Sequence, residues 1–147
     1  AECGDDMMFC ENVRRLLWEK LSINMTHNAL SSVLECRLYE IYDNPHTWTL
    51  TGRLVNEAVE VAAADGEVFD RDLVLSSIKT LCEDAKNGFA SMVQDRRAGR
   101  KTEIDFINGA VVRLGKKYGI PTPVNETVVE LVHAYEESDS MRDKLFE

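Results

Sequence analysis

Long apolar runs are missing from this sequence: no stretch approaches 18 apolar residues, so it predicts no membrane-spanning helix. The first residues, AECGD, lack the basic and apolar regions of a secretory signal. The four cysteines form no C-x-x-C pair and are too sparse to staple a domain of this length. We therefore expect free thiols in a reducing compartment and a cytoplasmic protein.

Basic residues are also scarce. Seventeen lysines and arginines stand against 26 acidic residues, which gives a net charge of −9 and argues against nucleic-acid binding. The one basic cluster, residues 96–101, is short, lacks an aromatic ladder and has acidic neighbours. It predicts a salt-bridged loop, in which Asp95 has a structural role and pairs with Arg97, Arg100 or a helix end.

Motifs for cofactors and metals are absent as well. The chain contains no G-x-G-x-x-G, so it cannot by itself build the usual Rossmann phosphate cradle. The segment from Gly109 to Lys117 has the wrong spacing for a phosphate-binding loop and is typical of a helix interior. His27, His46 and His133 are scattered, without the spacing of metal ligands. The sequence therefore predicts no metal site.

Helical periodicity is present almost everywhere, and 147 residues suit one all-α domain. Capping residues mark several starts: Asp70, Asn125, and Thr102 with Asp105 at capping-box spacing. Leu73 and Leu131 fall in stripes that we expect to face inward. The predicted helices run from about Met8 to Asn28, then briefly through Leu34, from Pro45 to Gly66, from Asp70 to Asn87, briefly from Phe89, from Thr102 to Gly119, and from Asn125 onward.

The first helix carries the most informative pattern. Its expected buried stripe has polar residues within it, whereas Ser22 falls on the opposite face. The apolar members of the stripe are Val13, Leu16, Leu17, Leu21 and Ile23. Lys20 and Asn24 point inside this arc, and a buried ammonium needs a partner or a cleft that holds an anion.

Lys20, Asn24 and Asn28 recur at i, i+4 and i+8. One cation and two amides therefore follow a single line of about 12 Å, which suits a small, polar, anionic ligand. A structural reading stays open for each residue, because lysine can extend along an apolar face and asparagine can cap or bend a helix.

Three segments carry a resemblance to a known family. Residues 91–109, SMVQDRRAGRKTEIDFING, resemble the S-M-x-Q-D…R-x-T-E-I-D-[FY]-I-N-G signature of ketopantoate reductases (2-dehydropantoate 2-reductases). Residues 18–24, WEKLSIN, and residues 119–125, GIPTPVN, are similar to that family's W-x-K-L-x-x-N and G-I-P-x-P-x-N. The motifs occur in the family's order, and the resemblance covers residues 12–132.

The resemblance implies a helical C-terminal substrate and dimerisation domain of the 6-phosphogluconate dehydrogenase C-terminal-like type, occupying residues 1–147. In this family an N-terminal Rossmann domain, absent from this chain, holds NADPH and completes the cleft for the reduction of ketopantoate to pantoate in pantothenate biosynthesis. Because the sequence begins at Ala1, we expect a segment of a longer enzyme, inactive alone and possible as a homodimer.

The resemblance also assigns roles. Lys20 matches the proton donor, Asn24, Asn28 and Ser91 match substrate-binding positions, and Glu103 matches a carboxylate on the cofactor's side of the cleft. Without the resemblance, Ser91 is equally a helix-start serine, and Glu103 suits the first turn of a helix through the helix dipole.

Two departures from the family pattern weaken the assignment of the substrate. Ala29 stands where a proline is frequent, and Leu38 lies near a position that carries a further asparagine in some members. A related reductase acting on another 2-keto acid is therefore one alternative. A non-catalytic helical module that binds a partner or dimerises is the other.

Overall fold

A computed structural model describes the backbone of residues 2–138 and the side chains of residues 13–138. This part of the chain is built from helices and contains no strand, which confirms the predicted all-α class. No helix in it is long and apolar enough to cross a membrane. The helices are α1 (Glu2–Leu34), α2 (Leu38–Asp43), α3 (Pro45–Ala64), α4 (Arg71–Ala85), α5 (Ser91–Arg97), a 3₁₀ turn (Ile104–Phe106), α6 (Asn108–Tyr118) and α7 (Pro123–Glu137).

Three predicted helix ends are confirmed, each for the expected local reason. The Asn44 side chain accepts hydrogen bonds from the first N–H groups of α3, and Asp70 does the same for α4. Helix α6 ends at Gly119, whose left-handed backbone has a φ of 70°, a conformation that glycine adopts without steric cost.

The first helix is longer than predicted. Helix α1 continues through Asn28 to Leu34 as one element of 33 residues, so the predicted break at Asn28 is wrong. The short helix α2 was not predicted at all. It is held in place by Leu38 and Ile41, which are buried, and this tertiary burial outweighs the weak helical signal of six residues.

Two predicted caps are also wrong. Thr102 and Asp105 do not open a long helix, because Asp105 lies within the 3₁₀ turn and α6 begins only at Asn108. The Asp105 carboxylate instead contacts His133 at 2.8 Å. Asn125 lies inside α7, which begins at Pro123.

The core forms around α1, which packs against α3, α4, α5 and α7. Two residues predicted to face it do not: Leu73 is 68% exposed and Leu131 is 45% exposed. The buried apolar residues of these helices are other members of the same stripes: Val74, Ile78 and Cys82 in α4, and Val128 and Val132 in α7. The buried apolar side chains include Trp18, Met25, Ala29, Leu54, Val55, Ala58, Val61, Ile78, Cys82, Val111, Val128 and Val132.

Candidate functional site

The buried face of α1 is not the one predicted. Trp18 and Ser22 are buried, whereas Leu16 and Leu17 are more than 60% exposed and Lys20 is exposed. Trp18 and Met25, on the same side of α1, belong to the core. The expected burial of Lys20 is therefore wrong for this domain.

The exposed face of α1 combines apolar and polar side chains. Val13, Leu16 and Leu17 lie on it at helical spacing around Lys20. Large apolar side chains clustered on a surface mark a contact with another protein surface more often than isolated ones do. The composition of this face, apolar side chains around the Lys20 ammonium, is typical of a surface that contacts another protein surface.

The predicted polar line enters the body of the domain along α1. Lys20 is exposed, Asn24 is half-buried, and Asn28 is only 7% exposed. Because each step is about one helical turn, the three side chains descend roughly 12 Å from the open face toward the core. The line therefore offers a cation at its open end and an amide at its buried end.

Ser91 meets this line at its buried end. Ser91 is the first residue of α5, and its hydroxyl donates to Oδ1 of Asn28 over 3.4 Å. The cap position of α5 is occupied by Ala90, so Ser91 is the first helical residue, and its hydroxyl bonds to α1. The structure thus brings Asn28 and Ser91 together from positions 63 residues apart.

A buried polar network supports α1 beneath the line. Asn108 Nδ2 donates to the carbonyl of Met25 over 2.9 Å and to Oδ1 of Asn125 over 3.0 Å. Asn125 Nδ2 donates in turn to Glu57 over 2.7 Å. Met25 directly follows Asn24, so this network anchors the backbone that carries the candidate residues.

Sequence reasoning did not identify the members of this network. Asn108 and Asn125 lie in two of the motifs quoted for the resemblance, I-N-G and P-x-N, which was the available signal. Glu57 had no such signal, because its importance depends on a contact with residues 67 and 68 positions later.

His27 lies on α1 beside the polar line and is buried. Burial lowers the pKa of its imidazole, and the contact between Nδ1 and the Ile23 carbonyl at 2.9 Å offsets only part of this effect. A neutral ring that donates from Nδ1 satisfies this geometry. His27 therefore adds no cation to the line, which leaves Lys20 as the charged group among these α1 residues.

Glu103 lies on a separate segment, residues 102–107, which leads into α6. Its side chain is exposed, while its backbone carbonyl accepts hydrogen bonds from Phe106 and Ile107. Among the described side chains, no hydrogen bond or ion pair joins Glu103 or Lys20 to the other candidate residues. Glu103 thus presents a free carboxylate to solvent.

The basic cluster behaves as predicted at one position. Arg100 donates two hydrogen bonds to Asp95 at 2.9 and 3.0 Å, which confirms the structural role of Asp95. Arg97 pairs instead with Glu35 at 3.0 Å. These contacts hold the turn that connects α5 to the Glu103 segment.

A family model described as "Ketopantoate reductase PanE/ApbA C terminal" matches residues 12–136. The 2-dehydropantoate 2-reductase of Archaeoglobus fulgidus is 32% identical over 136 residues, which are 92% of this chain and 43% of that protein.

Solved structures give the same picture. A complex of D-mandelate dehydrogenase with NADH superposes with a TM-score of 0.82 at 34% identity, over 88% of this chain and 44% of that one. The PanE/ApbA family ketopantoate reductase of Ralstonia eutropha JMP134 superposes with a TM-score of 0.77 at 30% identity, over 92% of this chain and 43% of that one. The chain therefore spans less than half the length of these relatives.

Proposed function

The chain belongs to the ketopantoate reductase PanE/ApbA C-terminal family, and from this premise we propose that it is the substrate domain of an NADPH-dependent 2-dehydropantoate 2-reductase. The observation that carries the proposal is the polar line on α1. It places an ammonium, two amides and the Ser91 hydroxyl along one face that leads into the domain. A 2-keto acid with a hydroxyl group offers a carboxylate and oxygen acceptors to such a line.

Lys20 is proposed as the proton donor. When the carbonyl carbon accepts hydride, negative charge develops on the oxygen, and a positioned ammonium both stabilises that charge and transfers a proton to it. Lys20 is exposed in this domain, so the chemistry needs a second surface to exclude water from it. The apolar side chains of Leu16 and Leu17 suit contact with such a surface.

Asn24, Asn28 and Ser91 are proposed to bind the substrate. An amide offers both a donor and an acceptor, so one side chain can hold a hydroxyl or a carboxylate oxygen. The bond from Ser91 to Asn28 fixes the amide orientation, with Oδ1 as acceptor and Nδ2 left to donate. This arrangement leaves Asn28 Nδ2 for the substrate.

Glu103 is proposed to contact the nicotinamide cofactor. Its exposed carboxylate can accept a hydrogen bond from an amide or hydroxyl of a nucleotide, so the residue present fits the group. The cofactor, when bound, supplies the hydride. The chain lacks a glycine-rich phosphate cradle, so we assign the rest of the cofactor site to an N-terminal Rossmann domain.

The whole enzyme is accordingly proposed to be a cytoplasmic two-domain reductase of pantothenate biosynthesis, in which this domain alone is inactive. A homodimer is part of the proposal. A dimeric ketopantoate reductase from Staphylococcus aureus shares the fold, with a TM-score of 0.76 at 22% identity.

A second candidate is a reductase for a different 2-keto acid. The similarity to D-mandelate dehydrogenase at 34% identity favours it, because that protein's name indicates an aromatic substrate. Both candidates use Lys20 in the same way, and they differ in the groups that surround the substrate's side chain.

The test is an NADPH-oxidation assay of the chain alone and of the chain joined to an N-terminal dinucleotide-binding domain. That domain can be the one from the Archaeoglobus fulgidus relative. We expect ketopantoate-dependent oxidation only in the joined form. Oxidation with an aromatic 2-keto acid but not with ketopantoate would select the second candidate, and no oxidation with either would refute both.

A further inference from the structure

His133 on α7 bridges two carboxylates. Its Nε2 lies 2.8 Å from Oδ1 of Asp105, and its Nδ1 lies 3.1 Å from Oε2 of Glu136. The other oxygen of Glu136 accepts hydrogen bonds from both the backbone N–H and the hydroxyl of Thr102, each over 2.7 Å. Together, His133 and Glu136 therefore bind Thr102 and Asp105, which lie on either side of Glu103 in the sequence.

The bridge is complete in one protonation state only. A neutral imidazole has a single N–H, so one of its two nitrogens would turn a lone pair toward a carboxylate oxygen. The imidazolium form donates from both nitrogens and satisfies Asp105 and Glu136 together. Loss of the proton therefore breaks one of the two contacts.

Other charged groups surround the bridge. A cavity of about 710 Å³ opens beside His133 between α7 and the end of α5. The further charged side chains that line it are Arg96, Arg100, Lys101, Glu130 and Glu137. The arginines and the lysine disfavour an imidazolium, whereas Glu130 and Glu137 favour it.

The two bridging carboxylates favour the protonated form of His133. Burial alone would lower the pKa of His133, but the hydrogen bonds and charges of Asp105 and Glu136 outweigh burial and raise it above its usual 6.5. The bridge then contributes its full stability below pH 6.5 and loses that contribution as the pH rises through the raised value.

We infer that His133 is a positioning residue for the Glu103 segment, residues 102–107: as an imidazolium it donates to Asp105 and to Glu136, which also holds Thr102, and its deprotonation weakens the hold on the segment by removing one of these two contacts. The inference rests on the proposed function in one respect, the assignment of the cofactor as the group that Glu103 contacts. The bridge itself is a property of this chain and can be tested without activity.

The first test is an NMR titration of the chain from pH 5.5 to 9. The amide signals of residues 102–107 should shift with the same midpoint as the His133 ring. In His133→Lys, whose ammonium stays charged over this range and can donate to both carboxylates, the segment's shifts should stay constant with pH. His46→Gln, at an exposed histidine on α3, is the matched control and should leave the titration unchanged.

The second test uses the joined enzyme. In His133→Gln the KM for NADPH should rise about tenfold, the effect of losing one charge-assisted hydrogen bond, and His133→Lys should restore it. If the amide shifts of residues 102–107 did not change as His133 titrates, the inference would be overturned. If they changed with His133 but the joined enzyme had no activity, the proposed function would be refuted and the inference about His133 would stand.

Discussion

Glu57 makes hydrogen bonds to α7 whose loss should lower the free energy of unfolding of the chain by a measurable amount. From α3, its carboxylate accepts the backbone N–H groups of Val124 and Asn125 over 2.8 and 3.0 Å, and the Asn125 side chain over 2.7 Å. It thereby caps the first turn of α7 from another helix. This explains why Asn125, which we predicted as the cap, is free to join the network beneath α1.

The substitution Glu57→Gln keeps the shape but replaces one accepting oxygen with an NH₂ group that faces an N–H donor. A hydrogen bond to a charged group contributes roughly 1.5–3 kcal/mol, and the negative charge at a helix N-terminus adds roughly 0.3–1 kcal/mol. Glu57 is only 9% exposed, so water cannot replace the lost acceptor. We expect the free energy of unfolding to fall by about 2–4 kcal/mol.

Urea denaturation followed by circular dichroism measures this change. Glu60→Gln, one turn later on α3 at an exposed position, is the matched control and should shift the free energy of unfolding by less than about 0.5 kcal/mol. If Glu57→Gln also changed it by less than that, the reasoning about the shared cap would be refuted.

Three further predictions concern other contacts. Burial alone would raise the pKa of Asp65, but hydrogen bonds from two aromatic side chains and nearby positive charges outweigh burial and hold this pKa below 3.8. The ionised Asp65 therefore stabilises the folded chain above pH 3.8, and this contribution is lost as the pH falls through the lowered pKa. Asp65→Asn should cost about 1.5–3 kcal/mol at pH 7 and flatten the acid limb of a stability-against-pH curve, and an unchanged limb would contradict this. The double variant Leu16→Ser, Leu17→Ser should leave the melting temperature of the chain unchanged but weaken its assembly with the N-terminal domain in a binding titration, which equal binding would disprove. Ser91→Ala should raise the KM for ketopantoate about tenfold in the joined enzyme through loss of the bond to Asn28, with unaltered NADPH binding, and an unchanged KM would remove Ser91 from the site.

The parts of the fold that sequence reasoning predicted depend on local chemistry. Asn44 and Asp70 cap helices through bonds to residues two and three positions away, and the left-handed Gly119 ends α6. Such signals need no knowledge of tertiary structure. With the hydrophobic periodicity, these signals predicted the five long helices found among residues 2–138.

The errors occur where a distant partner overrides the local signal. Glu57 takes the capping role expected of Asn125, and His133 takes the carboxylate that Asp105 was expected to offer to Thr102. On α1, apolar Leu16 and Leu17 are exposed because Trp18 and Ser22 meet the core. Helical periodicity alone does not decide which of two adjacent faces of α1 meets the core.

In the candidate site, too, local spacing was predictable from the sequence and contacts between distant residues were not. Helical spacing was enough to place Lys20, Asn24 and Asn28 on one line of α1. The contact of Ser91 with Asn28 joins residues 63 positions apart, and only the family motif connected them in advance. The prediction that Lys20 is buried failed because Trp18 and Ser22 occupy the buried face of α1.

The proposed role of Lys20 as proton donor can be tested through the turnover of Lys20→Ala in the joined enzyme. Because Lys20 is exposed and makes no ion pair among the described residues, the melting temperature should not change, while kcat should fall by roughly 10²-fold or more. Lys116→Ala, at an exposed position on α6, should keep full turnover. An unchanged kcat in Lys20→Ala would contradict the role of Lys20 as proton donor.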